Sequence, residues 1–477
     1  MNTVMHDLFR PARCRLVTLA LLPLLLGGCA LAPVYERPAT PEPAAFKEAQ
    51  GWVPAAPADA LDRGTWWTLF DDPVLDELAA AVDVSNQNIA AATAAYAQAR
   101  ALVQQQRAAL FPVVTLNAGA GRAQGSEGTA TATRAAGARD SVQLGIGASW
   151  EPDVWGRLRA AADSASASAQ ASAADLASAR LSAHGELAAN YFSLRQTDAQ
   201  AALLRATITG YERALQIARN RYAAGIATKT DVLQAETQLA NAQADEVGLA
   251  RQRAQLEHAI AVLVGKAPAE FTLAPAEWKV SVPQVPVGVP STLLQRRPDI
   301  AAAERRVAAA NEQIGIARAA YFPNIGLNAS YSSSGSSVAG LFGASNTLWS
   351  LGLSAAQTLF NAGATAAQVE SSKAARDAAI ARYRQTVLGA FQNVEDQLAA
   401  AQVLARQQEL RMRASQAADE AEALMLNRYR AGQVSFSEVV SAQVTALNAR
   451  RAVVQAQADR QTAAVALIQA LGGGWRP

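Results

Sequence analysis

The chain is poor in the residues from which metal centres and disulfide frameworks are built. Two cysteines and three histidines stand in 477 residues, too few for a multi-ligand zinc site or a cystine scaffold. An excess of one charge is missing too. Lys and Arg number 42 against 40 Asp and Glu, a net +2, so no concentrated basic face is available for nucleic acid. Charged residues are only 17% and hydrophobic ones 51%, the reverse of a disordered chain. No Gly-rich loop followed by Lys-Ser or Lys-Thr appears, so no nucleotide site is read. His184 and His258 fall on predicted helices with no Ser or Cys motif beside them, and carboxylates are scattered along predicted exposed helix faces. The expectation is a chain that is no enzyme and holds neither metal nor cofactor. Proline is absent from residues 153–267 and 324–476, which leaves room for very long helices.

What is present begins with a targeting signal. Arg10, Arg13 and Arg15 precede an apolar run from Leu16 to Leu26, too short to span a bilayer. The run ends in Leu26-Gly27-Gly28-Cys29, which resembles a bacterial lipobox. That resemblance implies that Cys29 becomes the first mature residue, acylated on thiol and amine, with each buried CH₂ adding about 0.8 kcal/mol of membrane affinity. Ala30, rather than Asp, after the Cys implies the outer membrane as destination.

The remainder is two copies of one unit. Ala108-Ala109-Leu110-Phe111-Pro112 recurs as Ala319-Ala320-Tyr321-Phe322-Pro323, an offset of 322 − 111 = 211. Arg221-Tyr222-Ala223-Ala224-Gly225 recurs as Arg428-Tyr429-Arg430-Ala431-Gly432, an offset of 428 − 221 = 207. The difference places a deletion in the loop between the two strand-like runs of the second copy. From Arg157 to about Ala223 only Gly185 and Gly210 interrupt a helical composition, a length of roughly 100 Å at 1.5 Å per residue. A turn follows, then a second helix from about Lys229 to Val264. The second copy repeats this hairpin, with its turn near Ala431 to Ser435.

Four segments switch to period two. Val114, Leu116, Ala118 and Ala120 alternate with Thr115, Asn117 and Gly119; Val142, Leu144, Ile146, Ala148 and Trp150 with Gln143, Gly145, Gly147 and Ser149. Ile325, Leu327, Ala329 and Tyr331 alternate with Asn324, Gly326, Asn328 and Ser330; Trp349, Leu351, Leu353 and Ala355 with Ser350, Gly352 and Ser354. Each run has the length of a membrane-spanning strand. Four strands cannot close a barrel, and an open edge cannot face hydrocarbon, because every unpaired backbone group there costs several kcal/mol. Strands in lipid must therefore be shared between chains, and two, three or four chains all satisfy the argument.

A run of motifs then narrows the choice. Leu293-Leu294-Gln295-Arg296-Arg297-Pro298-Asp299-Ile300, Ala303-Glu304, Ala309-Ala310-Asn311, Ile314-Gly315-Ile316-Ala317-Arg318-Ala319 and Phe322-Pro323 resemble the signature of bacterial outer-membrane efflux proteins, the TolC-like channels. Trp66-Trp67-Thr68-Leu69-Phe70-Asp71-Asp72-Pro73 with Leu75, and Leu471-Gly472-Gly473-Gly474-Trp475, resemble the NodT lipoprotein branch. The resemblance covers nearly the whole chain. It implies a mainly α fold with membrane β: long helical hairpins forming a periplasmic α-barrel, joined to a transmembrane β-barrel with four strands per chain. A homotrimer completes both, with twelve strands and twelve helices. It further implies a passive conduit for drugs or other small toxic compounds, partnered by a periplasmic adaptor and an inner-membrane transporter. The same fold also serves type I protein secretion and metal-ion efflux, and these are the alternative readings.

On this reading residues 1–28 are signal peptide and 29–73 a lipidated, extended N-terminal segment. The first repeat is 74–265, the Pro-rich equatorial linker 266–298, the second repeat 299–472 and the tail 473–477. Arg221, Tyr222, Gly225, Arg428, Tyr429 and Gly432 match the family's tip pattern, which closes the periplasmic end and meets the adaptor. Many relatives carry an Asp nine residues after the second tip Gly. Here that position is Ser441. Glu438, three residues earlier, is expected to supply the acidic constriction, with Asp231 as its counterpart in the first copy.

Overall fold

The structure, a computed structural model, describes residues 31–40, 43–49, 63–124, 138–283, 296–341 and 343–473. Cys29, Leu293 to Gln295 and Trp475 lie outside them. In chain order the described elements are α1 (Pro73–Ser85), α2 (Gln87–Ala108), β1 (Val113–Ala123), β2 (Arg139–Trp150), α3 (Arg157–Ala223), α4 (Lys229–Leu263), α5 (Pro298–Ala319), β3 (Asn324–Gly335), β4 (Thr347–Ala356), α6 (Ala364–Arg430) and α7 (Phe436–Ala470). Helices α3 and α6 are each 67 residues long, and α4 and α7 each 35. Contacts divide the chain into two compact units. One takes the N-terminal stretch to Pro38, Ala97–Ala171 and Glu304–Arg382; the other takes Ala39–Tyr96, Ser172–Ala303 and Tyr383–Pro477. Both units draw on both repeats, so this division runs across the segments read from the sequence.

The first unit contains one antiparallel sheet in the order β1-β2-β3-β4. The register pairs Leu116 with Ile146, Ile146 with Tyr331, and Tyr331 with Trp349. Side chains alternate across a strand, so this register puts all four apolar series on one face. Thr115, Asn117, Gly145, Gly147, Asn328, Ser330, Ser350 and Gly352 share the other. The small residues matter there, because a Cβ on Gly145 would lie 2.9 Å from that of Ser332. The apolar face is exposed: Leu116, Leu351, Leu353 and Trp349 are each 70–75% accessible. Phe111, Trp150, Phe322 and Phe360 stand at or beside the strand ends that join the helices. Trp155 stacks on Phe322 at 4.8 Å and donates from Nε1 to the Pro323 carbonyl at 2.7 Å. Aromatic side chains at one level of an apolar band form an interfacial girdle. Among the described residues no helix is long and apolar enough to cross a membrane.

In this unit the start of the described chain lies along α5. Arg318 donates to the Leu31 carbonyl at 3.2 Å and Asn311 to that of Pro33 at 2.7 Å, while Tyr35 hydroxyl bonds Glu304. Gly315 makes the approach possible, since a Cβ there would lie 2.6 Å from that of Ala32. Four motif residues thus hold the N-terminal strap.

In the second unit the stretch read as extended departs from that form at Arg63–Phe70, which is a 3-10 helix. Burial explains it: the turn carries Trp66, Trp67 and Phe70 inward together, and Phe70 meets Phe192 at 4.9 Å. Asp72 caps α1 by accepting from Val74 and Leu75 amides at 3.0 and 3.3 Å. Its other oxygen accepts from Tyr191 hydroxyl at 2.7 Å. Asn86 separates α1 from α2, capping Asn88 and Ile89 amides while donating to the Leu263 carbonyl at 2.8 Å. The carboxylates are not all on exposed faces. Asp198, its side chain 5% accessible, bridges Arg195 and Arg253, whose guanidiniums also hold the Ala274 and Leu273 carbonyls of the linker. Arg297 bonds Asp299 and donates to the Ala470 carbonyl. A Cβ on Gly472 (φ +91°) would lie 2.1 Å from the Arg296 carbonyl oxygen. The central and C-terminal motifs therefore meet.

Candidate channel tip

The two hairpin turns are built alike, from residues that end helices. Gly225 (φ +73°) and Gly432 (φ +75°) occupy the left-handed region, where other residues are strained. Gly225 N–H returns to the Tyr222 carbonyl at 3.0 Å and Gly432 N–H to that of Tyr429 at 2.9 Å. The Ile226 and Gln433 amides reach the carbonyls of Arg221 and Arg428, each at 2.9 Å.

The helices that follow are capped alike as well. Thr228 accepts from the Asp231 amide at 3.3 Å and donates to its carboxylate at 2.9 Å. At α7 the Glu438 carboxylate accepts from the Ser435 amide at 2.8 Å and from its hydroxyl at 3.0 Å. These bonds to the charged form hold the Glu438 carboxyl below the usual glutamate range, the backbone donor contributing most. Asp231 and Glu438 thus occupy the same place in their turns, and both serve local caps. Ser441 donates to the Ser437 carbonyl at 3.0 Å. Ser441 and Glu438 line one open groove of about 430 Å³ with Met425 and Thr445.

Above this shared frame the turns differ. Arg221 reaches the second hairpin and donates to the carbonyls of Tyr429 at 2.9 Å and Arg430 at 3.2 Å. Its guanidinium lies 4.7 Å from the centre of the Tyr429 ring, a cation–π contact. One side chain therefore gives donors to two carbonyls at the C-terminus of α6, that of Tyr429 already accepting from Gly432, and places positive charge there. Phe436 supports Tyr429 at 5.2 Å, within an apolar cluster that includes Leu215, Ala218, Ala235 and Val439. Tyr429 is 3% accessible, Tyr222 48%. Burial pushes the Tyr429 hydroxyl upward, and Asp231 adds to it while Arg221 opposes it. Neither this hydroxyl nor Arg221 Nε has a partner among the described residues.

Of the residues expected at the tip, the structure brings Arg221, Tyr429 and Gly432 together. It places Arg428, Tyr222, Asp231, Glu438 and Ser441 around them on exposed or half-exposed positions. Sequence reasoning missed Phe436, whose counterpart in the first copy is Lys229; comparing the two turns position by position exposes that asymmetry. It also missed Arg451, which reaches Asp245 across the hairpins at 2.7 Å. Arg450, paired with Asp419 and Glu422, ties α6 to α7.

The comparisons with known proteins agree with one another. A family model described as outer membrane efflux protein matches residues 79–266 and again 289–473. The efflux pump outer membrane protein TtgC of Pseudomonas putida, its function given as probable, is 32% identical over 465 residues, covering 96% of each chain. Outer membrane protein OprJ of Pseudomonas aeruginosa is 32% identical over 463 residues, again 96% of each. Among solved structures, the outer-membrane channel OprN superposes with a TM-score of 0.86 at 31% identity, over 94% of this chain and 100% of that one.

Proposed function

The chain belongs to the outer membrane efflux protein family, and from that premise we propose that it is one of three identical subunits of a passive outer-membrane conduit. One observation carries the reading. The sheet exposes a continuous apolar face, and among the described residues its outer strands β1 and β4 each have a partner on one side only. In hydrocarbon such edges are intolerable, and a ring of identical chains joined β4 to β1 removes them.

In that assembly the conduit exports drugs or other small toxic compounds, does no chemistry of its own and takes its energy from an inner-membrane transporter. A periplasmic adaptor joins the two at the hairpin tips. The lipid on Cys29 is its one covalent attachment. What supports the anchor is the strap: Leu31, two residues after Cys29 in the sequence, is fixed on Arg318, in the last turn before Phe322-Pro323 and β3.

Native mass spectrometry of protein extracted from outer membranes tests the reading. The expected mass is that of three mature chains, each beginning at an acylated Cys29. A folded single chain would overturn the shared barrel.

A further inference from the structure

At the turns themselves, among the described residues, the arginine contact between the two hairpins is made in one direction only. Hairpin one sends Arg221 to the end of α6, where it takes the Tyr429 and Arg430 carbonyls and covers the Tyr429 ring. Displacement by 207 residues turns this set into Arg428, the carbonyls of Tyr222 and Ala223, and the ring of Tyr222. All these parts are present, and the chain does not assemble them. Arg428 is exposed, Tyr222 is exposed, and among the described residues no guanidinium donates to either carbonyl.

A closed ring of identical chains with two like hairpins each supplies the missing half. Around such a ring the two kinds of hairpin alternate, so hairpin two of one chain stands beside hairpin one of the next. Resting on the trimeric reading above, we propose that Arg428 closes the same clasp on a second copy of this chain. It donates to the carbonyls of Tyr222 and Ala223 of the partner subunit and lies over the ring of Tyr222 of the partner subunit. Each helix end at the turns is then met by an arginine of the preceding hairpin.

The seam between chains is the weaker of the two, for two reasons visible in the sequence. The place of Phe436 behind the ring is taken by Lys229, which leaves the ring wet and the cation–π contact correspondingly smaller. The second link across the inner seam, Arg451 to Asp245, has no repeat, because Ala244 and Ala452 stand at the matching positions.

The test replaces Tyr222 with p-benzoylphenylalanine in the full-length protein and irradiates outer membranes containing it. Adducts are mapped by peptide mass, and native mass spectrometry is run on the same preparation. The expected product joins position 222 of one chain to the α6 terminus around Arg428 of another, and Arg428→Ala removes it while the mass of three chains persists. An adduct confined to one chain, or one that survives Arg428→Ala undiminished, in a preparation with the trimer mass overturns the clasp and leaves the channel reading intact. A single-chain mass overturns the channel reading itself.

Discussion

Glu438 has two demands on one carboxylate. It fixes the first turn of α7 through Ser435, and on the family resemblance it is the acidic group expected at the aperture. A glutamine keeps an oxygen for the Ser435 amide and removes the charge, so Glu438→Gln separates the two roles. Single-channel recordings should show reduced cation selectivity with the fold unchanged; an unaltered reversal potential removes Glu438 from the aperture. Because its pKa is depressed in the folded chain, the carboxylate should be more charged than an ordinary glutamate at the same acidic pH, and the selectivity should fade at lower pH than an ordinary glutamate would allow. By the same sign, its contribution to stability is present above the unfolded-state pKa and lost as pH falls through the folded one.

His184 has the opposite sense of pH dependence from a paired histidine. It is 5% accessible, stacked on Trp67 at 4.2 Å, and bonded through Nε2 to Asp83 at 2.9 Å. Its Nδ1 is buried without a partner among the described residues, so a second ring proton would have no acceptor. Burial dominates the neighbouring Asp83 and lowers the pKa from its ordinary 6.5. The unfolded chain then binds the proton first. Stability is retained above the unfolded-state value and declines as pH falls below it, until the folded ring also protonates. Thermal melting followed from pH 8 to 5 should show that decline in the native protein and a flatter profile in His184→Gln; parallel profiles would refute it. A lone histidine on a helix gave no hint of this in the sequence, because Trp67 is more than a hundred residues away and only tertiary packing joins them.

At the scale of elements, period and punctuation carried most of the information. The four strands were legible because lipid on one side and small polar residues on the other enforce strict alternation. The long helices were legible because nothing in them stops a helix. The deletion inferred from the changed offset lies in the connection 336–346, four residues shorter than 124–138. The Arg63–Phe70 turn was not legible, since eight residues are too few to display a three-residue period and the turn is held here by burial of Trp66, Trp67 and Phe70. Register across chains follows from the same repeat. Ala148 faces Ala329 where the two copies join. Displaced by 207 and 211 residues, that pair becomes Ala355 of one chain against Ala118 of the next. Ala355→Cys with Ala118→Cys should give reducible covalent oligomers, and Ala355→Cys with Ala120→Cys should not; equal cross-linking of both pairs would disprove the register.

At the scale of the whole molecule, the two-copy plan was readable from the constant offset alone, and family motifs marked where its halves are pinned. Arg297, Gly315, Arg318 and Gly472 are motif residues whose work is now visible: they hold the N-terminal strap or the end of α7. The direction of the tip contact was not readable. Both copies carry Arg-Tyr followed by Gly, and only the structure shows that one Tyr is buried and the other bare.

The bare margins of the sheet bear on how such a protein comes into being. A lone chain crossing the periplasm cannot carry its four strands in final form. Their outer edges would template any passing strand, and an apolar face of that extent would aggregate in water. On the trimeric reading, insertion and assembly are therefore coupled: the membrane part finds partners for its outer edges only when sister chains arrive.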